Sequence, residues 1–217
     1  MARYHPDPAR IPLEQFFVLC LSGERPEGSN RIPDDGKDRL KQLKTSGIGN
    51  LEDLVRSLQT TEVLEELAQR SGLPSGYLRA LRNQAERCFT EPFPLSRFPG
   101  IPFEYTEALR SGGISDTRDY YEMAYSPTSR DELALRTGIP RERLKELWEL
   151  CDLSRIPGMG GVPARVAWEA GIRSMELYAD TEKGASSTGD LSPADIGFGI
   201  RYARMVITLD PDNEADP

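Results

Sequence analysis

Apolar residues recur at helical spacing along most of the chain. Leu144, Leu147 and Leu150 follow three-residue intervals that place their side chains on one face of a helix. Upstream, Gly138 is typical of a left-handed helix cap, and Pro140 favours the start of the next helix. No Asn-Gly or Asp-Gly pair links alternating apolar and polar runs, as a β-hairpin requires. The pattern predicts an all-α fold made of short helices and tight turns.

One tripeptide frame occurs three times, and it organises the chain into related units. The copies are Arg31-Ile32-Pro33, Arg97-Phe98-Pro99 and Arg155-Ile156-Pro157. After each copy a helical pattern closes on a Gly-Ile pair, and the glycine always follows the arginine by sixteen residues. A second element, Leu67 to Pro74, recurs as Leu133 to Pro140 at an offset of 66 residues. We interpret the chain as tandem repeats of short helices.

The third copy has glycines that suit anion binding. Gly158, Gly160 and Gly161 lie between two predicted helices, where backbone N–H groups at the next helix N-terminus can face a phosphate. This segment resembles the helix-hairpin-helix superfamily, whose members commonly bind the DNA backbone without sequence preference. With the Leu-Ala-x-Arg-x-Gly-(Leu/Ile)-Pro element beside it, the chain more closely resembles an uncharacterised prokaryotic helix-hairpin-helix-like domain-of-unknown-function family, over residues 31–180.

The resemblance implies weak, sequence-independent binding of nucleic acid at the third hairpin. We expect Gly158 and Gly160 to supply backbone N–H donors, and Arg155, Arg165 and Arg173 to add positive charge. In the alternative interpretation, glycine and proline only separate the helices and the hairpins are purely structural.

The other two copies fit an anion less well. Pro102 stands where the third copy has Gly160, which removes one N–H donor from the second hairpin. In the first copy, Asp34 and Asp35 place two carboxylates in the turn, and these would repel a phosphate. We therefore expect the third hairpin to be the binding one.

The charge balance limits how strong such binding can be. The chain has 27 Lys and Arg against 35 Asp and Glu, a net charge of -8, and residues 176–217 contribute nine acidic and three basic side chains. The stretches 37–56 and 153–175 are each slightly basic. Strong non-specific DNA binding typically uses about 6 to 10 phosphate contacts, so we expect weak and salt-sensitive affinity. The acidic balance also keeps a protein-protein adaptor open, with the segment Tyr120 to Tyr125 presented to a partner.

Residues for catalysis or metal binding are scarce. The only histidine is His5, and the three cysteines, Cys20, Cys88 and Cys151, form no Cys-x-x-Cys pair. Neither a nucleophilic triad nor a zinc or calcium site can be assembled from these spacings. We therefore expect a non-enzymatic protein with no cofactor, no metal and no disulfide framework.

Composition, the repeats and the resemblance together suggest three parts. Residues 1–30 form an N-terminal segment and loop, 31–181 form three helix-hairpin-helix-like units, and 182–217 hold a linker, a C-terminal helix and an acidic disordered tail. The apolar run Phe16 to Leu21 is far shorter than the roughly 20 residues that span a bilayer, and no secretory signal precedes it. We expect a cytoplasmic protein without membrane contact, and the sequence leaves its oligomeric state unknown.

Overall fold

A computed structural model describes residues 3–21, 36–181 and 191–209. These ranges contain twelve α-helices, two 3-10 turns and no β-strand, so the predicted all-α fold is confirmed. The helices are α1 Leu13–Leu21, α2 Gly36–Thr45, α3 Leu51–Ser57, α4 Thr61–Ser71, α5 Ser75–Glu86, α6 Phe103–Ser111, α7 Thr117–Met123, α8 Pro127–Thr137, α9 Arg141–Ser154, α10 Gly161–Glu169, α11 Met175–Asp180 and α12 Pro193–Leu209. In the described part of the chain, no helix is long and apolar enough to cross a membrane.

Several sequence predictions lie outside the described residues. They are the first tripeptide, Arg31-Ile32-Pro33, with the two aspartates after it, the loop before it, most of the linker at 182–192 and the acidic tail from residue 210. The predicted C-terminal helix is present, and its start is fixed by Ser192, whose hydroxyl accepts the backbone N–H of Asp195 at 3.2 Å.

The Gly-Ile pairs form one turn geometry at three places. Each glycine has a positive φ, and the isoleucine N–H after it donates to a carbonyl five residues back, which closes the preceding helix. The glycines are Gly47 (φ +87°), Gly113 (φ +86°) and Gly171 (φ +90°). These turns join α2 to α3, α6 to α7 and α10 to α11, while the grouping into three helix-hairpin-helix-like units stays a prediction.

The 66-residue offset also holds for the hydrogen bonds between α4 and α5 and between α8 and α9. Ser71 and Thr137 each donate their hydroxyl to a carbonyl four residues back at 2.7 Å. Each hydroxyl also accepts the backbone N–H two residues ahead at 3.3 Å. Serine and threonine each have a hydroxyl that can donate and accept, so both residues can make this pair of bonds.

The N-terminal segment packs into the helical array. Tyr4 is fully buried, and its hydroxyl contacts the hydroxyls of Ser154 at 3.1 Å and Thr117 at 3.0 Å. At the other end of the chain, α12 packs against α11 and α1. The buried residues from Tyr4 to Val206 therefore form one hydrophobic cluster.

His5 lies against this core and gives it a pH dependence. Burial, together with the charges of Arg118 and Arg155, lowers the pKa of His5 from its ordinary 6.5 to about 4. Between these values the unfolded chain binds a proton that the folded chain does not. Stability is therefore expected to fall by about 1–2 kcal/mol as the pH drops from 6.5 to 4, after allowance for partial exposure.

The only histidine of the chain can be followed directly by NMR. Its ring carbon signal should titrate near pH 4, and a His5→Gln variant should lack this share of the acid destabilisation. A midpoint near 6.5 would contradict the prediction.

Candidate functional site

In the third hairpin turn, one backbone N–H group is already hydrogen-bonded within the turn. Gly158 is exposed with φ +85°, a conformation that favours glycine. The N–H of Gly160 donates to the carbonyl of Gly158 at 3.1 Å, so this predicted donor is already engaged within the turn. The first-turn N–H groups of α10 belong to Gly161 and Val162, because Pro163 has none.

Arg155 lies inside the protein rather than on the hairpin surface. Its side chain is 3% exposed. Its Nε donates to the carbonyl of Tyr4 at 2.9 Å, and its Nη1 donates to Asp152 Oδ1 at 2.6 Å and to the Tyr121 hydroxyl at 2.5 Å. We expected this arginine to add positive charge for a phosphate. Its position does not allow this, because its N–H groups are hydrogen-bonded to residues of the core.

Asp152 explains why a charge is buried here. Its Oδ2 accepts the N–H of Met175, the first residue of α11, at 2.7 Å. In the other two hairpins the corresponding N–H donates to a backbone carbonyl: that of Leu51 to Ile11 and that of Thr117 to Phe93. A carboxylate takes the place of that carbonyl in the third hairpin, and the nearby guanidinium compensates its charge.

Arg165 is also buried, and it connects the second and third hairpins. Its Nη1 donates to Glu146 Oε1 at 2.7 Å, and its Nε donates to the carbonyl of Pro99 at 2.7 Å. The guanidinium lies beside Gly100, the glycine of the second hairpin turn. The side chain is only 9% exposed, so this arginine too holds structure together instead of facing solvent.

Arg173 is the one exposed arginine among the predicted site residues. Its guanidinium lies 4.8 Å from the centre of the Trp168 ring, beyond the C-terminal end of α10. The Gly158 to Gly160 turn lies at the opposite end of this nine-residue helix, which is about 13 Å long. The structure therefore does not bring the five predicted residues into one site.

A groove beside the third hairpin contains cations that sequence reasoning missed. This third-hairpin groove has a volume of about 360 Å³ and is lined by the turn Pro157 to Gly160, Ser154, the segment Phe89 to Glu91, Phe93, Arg87 and Arg97. Arg97 is exposed, lies 5.3 Å from the Phe93 ring, and has no carboxylate partner within the described ranges. Arg87 is 3.6 Å from Asp195, and Glu91 adds one negative charge.

The sequence marked Arg97 as part of the repeat but did not indicate that it lies at the third hairpin. Arg97 opens the second copy of the repeated tripeptide, but its position 61 residues before Gly158 gave no reason to place it at the third hairpin. The contact between the two hairpins arises because Gly161, which has no side chain, lets α10 approach the carbonyl of Arg97.

A second concave site, the Trp168 cavity, lies between α9 and the end of α10. It has a volume of about 390 Å³ and is lined by Glu142, Arg143, Lys145, Glu146, Glu149, Trp168 and Arg173. The indole N–H of Trp168 donates to Glu149 Oε2 at 2.7 Å. Arg173, which we expected at the third hairpin from the sequence, lies at this cavity instead.

The segment proposed for a protein partner is mainly buried. Tyr120 and Tyr121 of α7 are fully buried, and the Tyr120 hydroxyl donates to the carbonyl of Leu144 at 2.7 Å. Tyr121 stacks on Trp148 with ring centres 5.5 Å apart. An adaptor surface built from these tyrosines does not fit this position, because both rings are packed between helices.

Part of the chain matches a known protein-family model. Residues 99–182, which run from the second hairpin turn through α11, match a family described as Domain of unknown function (DUF4332). Neither a curated protein nor a solved structure matches the chain.

Proposed function

We propose that this protein is a non-enzymatic helical binding protein that contacts the phosphate backbone of nucleic acid weakly and without sequence preference. The contact is made at the third-hairpin groove. The observation that carries the proposal is the exposed guanidinium of Arg97, which lies without a carboxylate partner in a groove that also contains the Gly158 to Gly160 turn.

The groove offers features that suit a backbone. An arginine fork matches the oxygen pair of a phosphate, and the first turn of α10 presents the N–H groups of Gly161 and Val162 near the same turn. The exposed Gly158 has no side chain to obstruct a strand. These features favour the third hairpin over the second, where Pro102 precedes the helix.

The same geometry limits the affinity. Arg155 and Arg165 are committed to buried carboxylates, so fewer cations face a ligand than the sequence suggested. Arg87 forms an ion pair with Asp195, so its charge is partly compensated within the protein. With few phosphate contacts, the salt dependence of binding should be shallow compared with that of a strong DNA-binding domain.

Fluorescence anisotropy with a short labelled duplex and a single strand, over a series of salt concentrations, tests the proposal. Arg97→Ala is expected to weaken binding about three- to ten-fold at low salt and to reduce the log-log salt slope by about one. Arg136→Ala is the matched control, because Arg136 is also exposed but lies on α8, outside the groove.

Two results would overturn the proposal. One is the absence of binding to either probe at low salt, which would turn the search to a protein partner. The other is an equal loss in Arg97→Ala and Arg136→Ala, which would assign the binding to general surface charge.

A further inference from the structure

We infer that the Trp168 cavity binds an unpaired guanine base, so that the ligand is single-stranded at this point. The inference rests on the proposed function for its choice of nucleic acid as the ligand class. It adds a base-recognition site, separate from the groove around Arg97, that reads one nucleotide.

Glu149 is the centre of this site. Its side chain lines the cavity although the residue is only 8% exposed. One of its oxygens accepts the Trp168 indole N–H, and no Lys or Arg forms an ion pair with it anywhere in the described residues. A carboxylate that lines a cavity without an ion-pair partner can accept further hydrogen bonds from a ligand that donates to it.

The neighbouring Glu146 shows the contrast. Its two oxygens are bound by Arg143 at 2.6 Å and by Arg165 at 2.7 Å, so this carboxylate is already compensated within the protein. The hydrogen bonds from these arginines hold the pKa of Glu146 below its ordinary value in spite of burial. Of the two buried carboxylates in the cavity wall, Glu149 is therefore the one available to a ligand.

Guanine is the base that fits this acceptor. Its Watson–Crick edge carries two adjacent donors, the ring N1–H and the exocyclic amine, which can bond in parallel to one carboxylate. Adenine and cytosine place an acceptor beside their amine, and uracil and thymine flank their single N–H with carbonyl oxygens. A carboxylate repels those acceptors, so it selects guanine.

The rest of the cavity suits a nucleotide. Trp168 is half-buried and provides an aromatic face, and Arg173 beside it is exposed and positioned to exchange with a stacked base. Lys145 and Arg173 at the exposed rim are cations for the attached phosphate. The volume of about 390 Å³ lies within the range of small-ligand sites, about 300–1,000 Å³.

The indole N–H signal of Trp168 provides a direct readout in a ¹⁵N-labelled protein, assigned by its loss in Trp168→Phe. Guanosine 5′-monophosphate is expected to shift this signal and to bind about ten-fold more tightly than inosine 5′-monophosphate, which lacks the exocyclic amine. Adenosine 5′-monophosphate should bind as weakly as the inosine compound or more weakly. Glu149→Gln should abolish the preference, because the amide keeps an acceptor for the indole but presents a donor to the base.

Glu132→Gln is the control, since it removes one carboxylate from the exposed surface of α8 and should leave the preference unchanged. Equal shifts with the guanine and adenine nucleotides, or an equal shift with inorganic phosphate alone, would overturn the inference. Arg97→Ala should leave guanosine monophosphate binding intact. If Arg97-dependent backbone binding persists without a guanine response, the inference fails and the proposed function stands. If the guanine response is present but Arg97→Ala does not weaken binding of the labelled duplex or single strand, the inference stands and the proposed groove around Arg97 fails.

Discussion

Arg155→Ala is expected to lower the free energy of unfolding by about 3–5 kcal/mol. The substitution leaves the carboxylate of Asp152 buried without its cation, and it also removes the donors to the Tyr4 carbonyl and the Tyr121 hydroxyl. Asp152 cannot turn to solvent, because its other oxygen holds the first N–H of α11. Urea denaturation followed by circular dichroism measures the loss.

Arg173→Ala is the control for this prediction. Arg173 belongs to the same predicted set but is exposed, so its removal should change stability by no more than about 0.5 kcal/mol. Asp152→Asn combined with Arg155→Ala should cost less than the sum of the two single changes, because each single change leaves a buried group unpaired. A loss below about 1 kcal/mol for Arg155→Ala would show that the buried pair is not needed for stability.

Gly161→Ala is expected to destabilise the protein by about 2–3 kcal/mol, although alanine is the better helix former. A Cβ atom at this position would lie 2.5 Å from the carbonyl oxygen of Arg97 and 3.0 Å from its carbonyl carbon. Both are backbone atoms, so relief requires movement of α10 away from the second hairpin. That movement would also strain the bond from Arg165 to the Pro99 carbonyl.

The same substitution at the neighbouring Gly160 provides the control. A Cβ atom at Gly160 meets nothing within 4 Å, and its φ of -77° suits alanine. Because Gly160 is the N-cap of α10 and alanine is a poorer N-cap than glycine, Gly160→Ala should lower the unfolding free energy by no more than about 1 kcal/mol. Thermal or urea unfolding of the two variants compares them directly, and equal stabilities would contradict the close approach of α10 to the second hairpin.

The arginines of the repeated frame show how one motif can have different uses. Arg97 and Arg155 occupy the same place in the second and third copies. Arg155 follows a helix whose Asp152 turns inward, and its guanidinium is drawn into the core. Arg97 is the last residue of a short 3-10 turn, remains exposed, and lies over Phe93. The motif therefore identifies the position in the repeat but not the role of its side chain.

The sequence by itself determined the local structure of this protein. The helices, the Gly caps and the matching hydroxyl bonds of Ser71 and Thr137 depend on contacts between residues a few positions apart, such as Ser71 with Leu67 and Leu73. A turn of helix or a cap contains all the atoms that stabilise it, and for this reason its sequence pattern is sufficient to predict it.

Only the tertiary structure decided which charged groups can meet a ligand. Arg155 is bound by the carbonyl of Tyr4, 151 residues away, and Arg165 by that of Pro99, 66 residues away. Arg97 reaches the third-hairpin groove through packing across two hairpins. Exposure depends on distant segments that share no local pattern with the residue they cover, and so the hairpin could be predicted from its sequence while its available cations could not.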